Sequence, residues 1–330
     1  MDSFLFAVGA VSPLIIMVVI GYFLKKIGMI SANFAKAANR LVFRLFMPVM
    51  LFTKIYSMTD FSDVNVMFIG YALVCLLTIF FLAIPASIIV ARKKNRRGVL
   101  VHSIVRSGYS LIGIPLAGAL YGEPGATAAT ILAAAAIPLF NVLAVISLSA
   151  IGADETTKKP TVGSILKGIV TNPLIIGIFS ALMCLAIRVL FTKVGIGFRL
   201  SNITPLMAVL NYLTDLAIPL ALLVLGAQFE FSAVSSLKRE IIFGVTVRTV
   251  VVPLATLSIA YFLLREHFAP AHFATYVALF ATPVAVPSVP MTQEIGGDVT
   301  LAGQLVVWST LVSAFTIFLT TFLLRMGGAF

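Results

Sequence analysis

Two apolar stretches carry residues that a continuous membrane helix does not tolerate, and chemistry is expected there. Residues 106–125, RSGYSLIGIPLAGALYGEPG, are long enough to cross a bilayer yet hold Gly113-Ile114-Pro115 near their centre. Proline removes a backbone donor and crowds the carbonyl four residues earlier, and glycine permits unwinding, so a helix break is predicted at 113–115. Residues 281–298, ATPVAVPSVPMTQEIGGD, interrupt a second span with Pro283, Pro287 and Pro290. An unpaired peptide group in hydrocarbon costs several kcal/mol, so such breaks survive only against protein or a watery cavity. The chemistry on offer is ion recognition: N–H groups freed at a half-helix start attract anions, and carbonyls freed at a half-helix end attract cations. The spacing predicts a solute site in which Ser107, Tyr109, Ser110, Gly113 and Pro115 face Thr282, Pro283, Val286, Pro287 and Ser288. The plainer alternative is that these prolines only kink packed helices.

Ionisable residues inside apolar runs form the second candidate set. A charge in mid-membrane costs about 2.5–3.5 kcal/mol on insertion scales and faces a partner or a cavity. Arg44, Arg106, Asp215 and Arg248 lie that deep, whereas Lys54 and Arg188 lie nearer span ends and are expected to snorkel. Arg44 precedes Pro48 by the same spacing as Asp215 precedes Pro219, so the two occupy matching positions with opposite charge. Asp215 is expected to be a proton- or cation-coupling carboxylate, or the counter-ion of Arg44 or Arg248. A plain ion pair holding helices in register is the structural alternative. The excess of deep arginines over deep carboxylates favours an anionic substrate, which a guanidinium holds bidentately. Arg106 is the preferred substrate-side cation, the alternative being an arginine that reaches the cytoplasmic interface. Gln293 and Glu294 read as an ordinary polar helix end, and Asn141, Pro138, Gln304 and Trp308 as packing or interface residues near the break. Cys75 and Cys184 fall within apolar runs as packing residues, and neither a metal site nor a cofactor is indicated beyond coupling to H⁺ or Na⁺.

The elements that position these residues are membrane spans. The chain has 330 residues, 60% hydrophobic and 11% charged, with a mean hydropathy of +1.10, values at which a soluble domain cannot cover its surface. A span needs about 20 apolar residues. On that ruler ten are predicted, near 4–24, 41–57, 65–90, 99–121, 126–150, 168–191, 203–227, 239–264, 271–294 and 299–324. The first is read as a retained helix, since no basic segment precedes it. SANFAKAANR, between the first two spans, reads as a short amphipathic interfacial stretch. The net charge of +11 sits mostly in loops, which fits membrane topology and not nucleic acid. Lys25, Lys26, Lys36 and Arg40 lie in the first loop, Arg92, Lys93, Lys94, Arg96 and Arg97 in the third, Lys158, Lys159 and Lys167 in the fifth, and Lys238 with Arg239 in the seventh. Even loops hold chiefly Lys193, Arg199 and Arg265, so the odd loops are cytoplasmic and both termini face outward. No GxxxxGK[ST] loop is present, so ATP does not drive the chain directly. An enzyme is not expected: an intramembrane aspartyl protease needs two deep carboxylates, and a serine type needs a deep histidine, while His102, His267 and His272 lie near span ends.

Short matches recur between the halves. VSPLII at 11–16 is echoed by TNPLII at 171–176, the LFMP that ends at Pro48 by the LAIP that ends at Pro219, and the break of the fourth span by that of the ninth. An odd number of spans per copy makes the repeat inverted, residues 1–150 against 168–330 with a cytoplasmic linker at 151–167. Here the sequence resembles the auxin efflux carrier family, in particular its bacterial malonate or malate permease branch. RSGYSLIGIP at 106–115, GIPLAGALYG at 113–122, TNPLIIG at 171–177, IPLALLVLGAQ at 218–228, Ala281-Thr282-Pro283 and the GGD at 296–298 carry the likeness. It implies an all-α, ten-helix inverted-repeat carrier of the architecture shared with sodium/proton antiporters and bile-acid symporters, with broken helices 4 and 9 crossing. It also implies a scaffold bundle of helices 1, 2, 6 and 7, a transport bundle, a homodimer through the scaffold, and residence in the bacterial inner membrane. Family members usually carry asparagine where Gly108 stands, and the long loop of the plant carriers is absent. The expectation is therefore a secondary transporter of small carboxylates. An indole-type weak acid, or a membrane sensor that binds without flux, are the alternatives.

Overall fold

The computed structural model describes residues 2–57, 65–152, 163, 170–195, 197 and 199–329, the side chains of residues 2–11 and 193 excepted. Lys158, Lys159, Lys167 and nearly all of the 151–167 linker lie outside the described residues. Among the described residues the chain is helical, and its one extended pairing is an isolated antiparallel bridge between Ser107 and Val284. The helices are α1 (Asp2–Lys26), α2 (Ala32–Leu41), α3 (Met47–Tyr56), α4 (Val66–Val90), α5 (Lys94–Val105), α6 (Ile114–Ile146), α7 (Pro173–Lys193), α8 (Thr204–Gln228), α9 (Ala233–Thr246), α10 (Val252–Leu264), α11 (Pro270–Phe280), α12 (Ser288–Ile295) and α13 (Val299–Met326). Wider π-turns join α2 to α3 at Val42–Phe46, precede α6 at Tyr109–Gly113, and join α9 to α10 at Val247–Val251. Among the described residues six helical runs are long and apolar enough to cross a membrane: Val66–Val90, Tyr109–Ile151, Pro173–Thr192, Thr204–Gln228, Ala233–His267 and Val299–Met326. The chain is thus an all-helical, multi-pass membrane protein.

Local sequence explains the helix starts. Asn65 accepts a bond from Phe68 N at 3.0 Å, Asn172 from Leu174 N at 2.9 Å and Asp298 from Leu301 N at 3.0 Å, each satisfying a first-turn amide. Ser31 does the same for α2, the amphipathic SANFAKAANR stretch, whose Ala35 and Ala38 pack against Val224 and Ala227 of α8. Within α6 the backbone leaves the helical region at Tyr121 and at Gly122, whose φ of 62° and ψ of −154° only glycine adopts readily. A Cβ on Gly125 would sit 2.3 Å from the Ala117 carbonyl oxygen. In an unbroken helix those residues would be ~12 Å apart, so the two parts of α6 fold back on each other here.

Helix packing centres on two groups that meet where α1 packs on α13. In the first, α1 runs along α8, and α3 packs on α7 and α8; in the second, α6 packs on α11, α4 on α5, and α9 on α13. The first group is held by backbone contact. A Cβ on Gly21 would lie 2.1 Å from Leu223 O, and one on Gly226 1.9 Å from Val18 O. Burying an apolar side chain against another gains little when lipid is the alternative, so close van der Waals approach through small residues supplies the attraction.

The first interruption lies earlier than the sequence predicts. The helix ends at Val105, the chain is extended at Arg106, and winding resumes at Tyr109. Pro115 falls in the second turn of the helical run that begins at Tyr109, just after its π-turn, so it neither breaks nor starts that run. It is exposed, pointing away from the break. Gly113 serves close packing and not unwinding, since a Cβ there would lie 2.8 Å from Ala278 O of α11. The second interruption, between Phe280 and Ser288, lies where the three prolines put it.

Candidate functional site

The two interruptions meet. Gly108 N donates to Pro283 O at 2.7 Å, and Ala285 N donates to Arg106 O at 3.3 Å, which closes the Ser107–Val284 bridge. Val284 N is taken by Ser309 Oγ of α13 at 3.0 Å. Peptide groups released by each broken helix are thus paired with the other or with a neighbouring helix, as the absence of water in hydrocarbon demands.

Arg248, in the π-turn between α9 and α10, is fully buried beneath this joint. Its guanidinium donates to Ile104 O (3.0 Å) and Val105 O (3.5 Å) at the end of α5, and to Leu279 O (2.9 Å), Phe280 O (3.0 Å) and Thr282 O (3.0 Å) at the end of α11. One cation therefore closes the negative ends of both half-helices. The expectation that Arg248 pairs with Asp215 is corrected: its donors are taken by carbonyls. Asp215 is exposed on the outer face of α8 and makes no ion pair among the described residues. Arg44, expected deep, is also exposed, and its Nε donates to Glu294 at 3.1 Å, with Arg40 3.5 Å from the same carboxylate.

Arg106 is different. It is buried, and its bonds run from Nη1 alone, to Asn141 Oδ1 and Met291 Sδ, both at 3.0 Å. Asn141 is fixed in turn by donating Nδ2 to Ile137 O at 2.8 Å. No carboxylate lies within ion-pair distance of Arg106 among the described residues. Ser107 follows it in the chain and Ser288 lies one turn before Met291 on α12, and the hydroxyls of both are buried without a hydrogen-bond partner. Buried polar groups are nearly always bonded, so a guanidinium edge and two hydroxyls without partners offer donors that an acceptor-rich group could satisfy. With the carbonyl ends closed by Arg248, the half-helix starts at Tyr109 and Ser288 leave the joint positive.

The other predicted site residues divide. Thr282 Oγ1 donates back to Ala278 O at 2.9 Å, and Tyr109 OH to Ala129 O at 2.8 Å, so both hydroxyls are engaged. Val286, Pro283 and Pro287 are buried at the joint. Ser110 is only half-buried, and its carbonyl accepts from Lys54 Nζ at 3.4 Å. Sequence reasoning undervalued a cluster nearer the basic loops. Asn39 Nδ2 donates to Gln228 Oε1 (3.1 Å) and Gln293 Oε1 (2.9 Å), bridging α2, α8 and α12. Gln228 and Gln293 border a crevice of about 620 Å³ that Lys25, Lys26 and Lys36 also line. Asparagine and glutamine at helix ends, in loops otherwise basic, were the available signal.

A sequence profile described as membrane transport protein matches residues 6–321. The chain belongs to the membrane transport protein family. This is the family to which the auxin-efflux-carrier resemblance pointed. A relative from Methanothermobacter thermautotrophicus, described as an uncharacterized transporter, is 23% identical over 312 residues, covering 92% of this chain and 93% of that one. As a family member with these apolar helices, the chain is a membrane transporter.

Proposed function

We propose that this membrane transport protein is a secondary transporter of small organic anions, dicarboxylates or other carboxylates, working by alternating access around the joint of its two interrupted helices. The observation that carries this reading is Arg106: a buried guanidinium that bonds through Nη1 alone and has no carboxylate partner among the described residues, with the unpartnered hydroxyls of Ser107 and Ser288 at the two interruptions. Two N–H groups of a guanidinium match a carboxylate's two oxygens, and the hydroxyls complete its lone pairs. In this reading the chain has ten spans in two inverted five-helix repeats, 1–150 and 168–330, with the interrupted fourth and ninth crossing. α1, α3, α7 and α8 form the scaffold, paired with a second copy, and the remaining helices move against it. The charge pattern of the loops sets both termini outside the cytoplasm, in a bacterial inner membrane. The lysine-lined crevice then opens to the cytoplasm, with the side chains of Gln228 and Gln293 in its wall.

The test is counterflow uptake into proteoliposomes across a panel of mono- and dicarboxylates and indole acids, with and without Na⁺ and a pH gradient. Saturable carboxylate exchange that Arg106→Gln abolishes is the expected result. Indole-acid exchange without carboxylate exchange, or binding without flux, would replace this reading with a weak-acid carrier or a sensor.

A further inference from the structure

A second titratable group stands one helical turn from Arg106 and takes no part in the joint. His102 of α5 is 1% exposed, and neither ring nitrogen has a hydrogen-bond partner. A structural histidine in a core ordinarily bonds at least one ring nitrogen, because an orphan donor or acceptor away from water is costly. The backbone ties the two residues together: Arg106, the residue that caps α5, donates its N–H to His102 O at 2.9 Å, which sets it one turn past His102 on the same side of the helix end.

The other charges on neighbouring helices are accounted for. On α9, Glu240 holds Arg96, Arg239 donates to Ile89 O, and Lys238 is exposed. Arg248 holds the α5 and α11 carbonyls, Glu294 of α12 holds Arg40 and Arg44, Asp298 holds Arg96, and Arg325 of α13 donates to Leu120 O. α4, packed along α5, carries no charged side chain, and α6 carries only Glu123, at its kink. Arg106 is therefore the charge that His102 meets on its own face. A proton on His102 beside an empty Arg106 would place two positive charges together in a dry site. A carboxylate seated on Arg106 cancels one of them, so anion and proton each make the other easier to bind, which is coupling in the thermodynamic sense.

We infer that His102 is the proton-coupling residue, taking one proton from solvent when an anionic substrate occupies Arg106 and releasing it with the substrate on the other side. The inference rests on the carrier reading above, and it replaces Asp215 in the coupling role. With one proton per anion and the membrane potential clamped at zero, a pH gradient of about one unit accumulates a monocarboxylate about tenfold, since one unit of proton gradient is a tenfold ratio. The experiment measures that ratio, together with intraliposomal proton uptake by a pH dye, for wild type, His102→Gln and His102→Asn. Wild type is expected to accumulate and to take up about one proton per anion, whereas both variants still exchange labelled for unlabelled substrate but show an accumulation ratio near one. Wild-type exchange without proton uptake, or accumulation that persists in either variant, overturns the inference and leaves the carrier reading standing. Absence of exchange in wild type overturns both.

Discussion

Replacing Arg248 with methionine separates the residue that holds the joint from the residue that serves the solute. The guanidinium of Arg248 donates to five carbonyls at the ends of α5 and α11. Bonds from a charged donor contribute about 1.5–3 kcal/mol each, so about 7–15 kcal/mol of interaction is removed. Against this, the variant no longer buries a charge, which returns several kcal/mol. The difference still favours the arginine, by about 3–5 kcal/mol, because the carbonyls left behind have no water to turn to. At roughly 2 °C per kcal/mol for a chain this large, thermal unfolding in detergent should fall by about 6–10 °C. Arg248→Lys, whose ammonium offers three donors, should fall between. Arg106→Gln should do the opposite on stability, since it removes a buried charge that no carboxylate balances. Its unfolding temperature should hold or rise while carboxylate exchange is lost. The reasoning is refuted if Arg248→Met unfolds with the wild type. It is refuted equally if Arg106→Gln loses stability in proportion to transport, since that would make Arg106 a second fastening.

Two further outcomes follow from burial. The Glu294 and Glu240 side chains are similarly buried, 7% and 9% exposed, so their partners decide: Glu294 meets arginines 64–65% exposed and Glu294→Gln should cost about 1 kcal/mol, whereas Glu240→Gln, in the pair with an Arg96 side chain only 19% exposed, should cost about 2–3 kcal/mol. Parallel thermal unfolding checks the order, and equal losses would contradict it. Asp215→Asn should retain counterflow within about twofold and keep its pH dependence, because surface substitutions away from a network change little. A loss of pH-gradient response in that variant would return coupling to Asp215.

The second interruption was legible because Pro283, Pro287 and Pro290 leave no helical alternative over 281–287. The first was misplaced because a Gly-Ile-Pro signal fits both a break and a π-turn through which a helix continues. What decides between them is remote in sequence: Pro283 O on Gly108 N, and Arg248 on the carbonyls of Ile104 and Val105. Counting deep charges failed for a related reason. In a soluble helix the polar face marks the outside, but lipid and protein interior are equally apolar, so hydropathy places Asp215 at depth without saying which way it points. Residue size carries that information instead. Ala217 and Ala221 of α8 are buried, while Tyr212, Leu216 and Pro219 are exposed. At 3.6 residues per turn Asp215 stands ~200° from Ala217 and ~240° from Ala221, on the side of α8 away from these two alanines. The positions of the alanines thus argue against an ion pair with Arg248 across the bundle. An outward carboxylate near the middle of a span instead demands cover, and a second copy packed on this face of the scaffold would supply it.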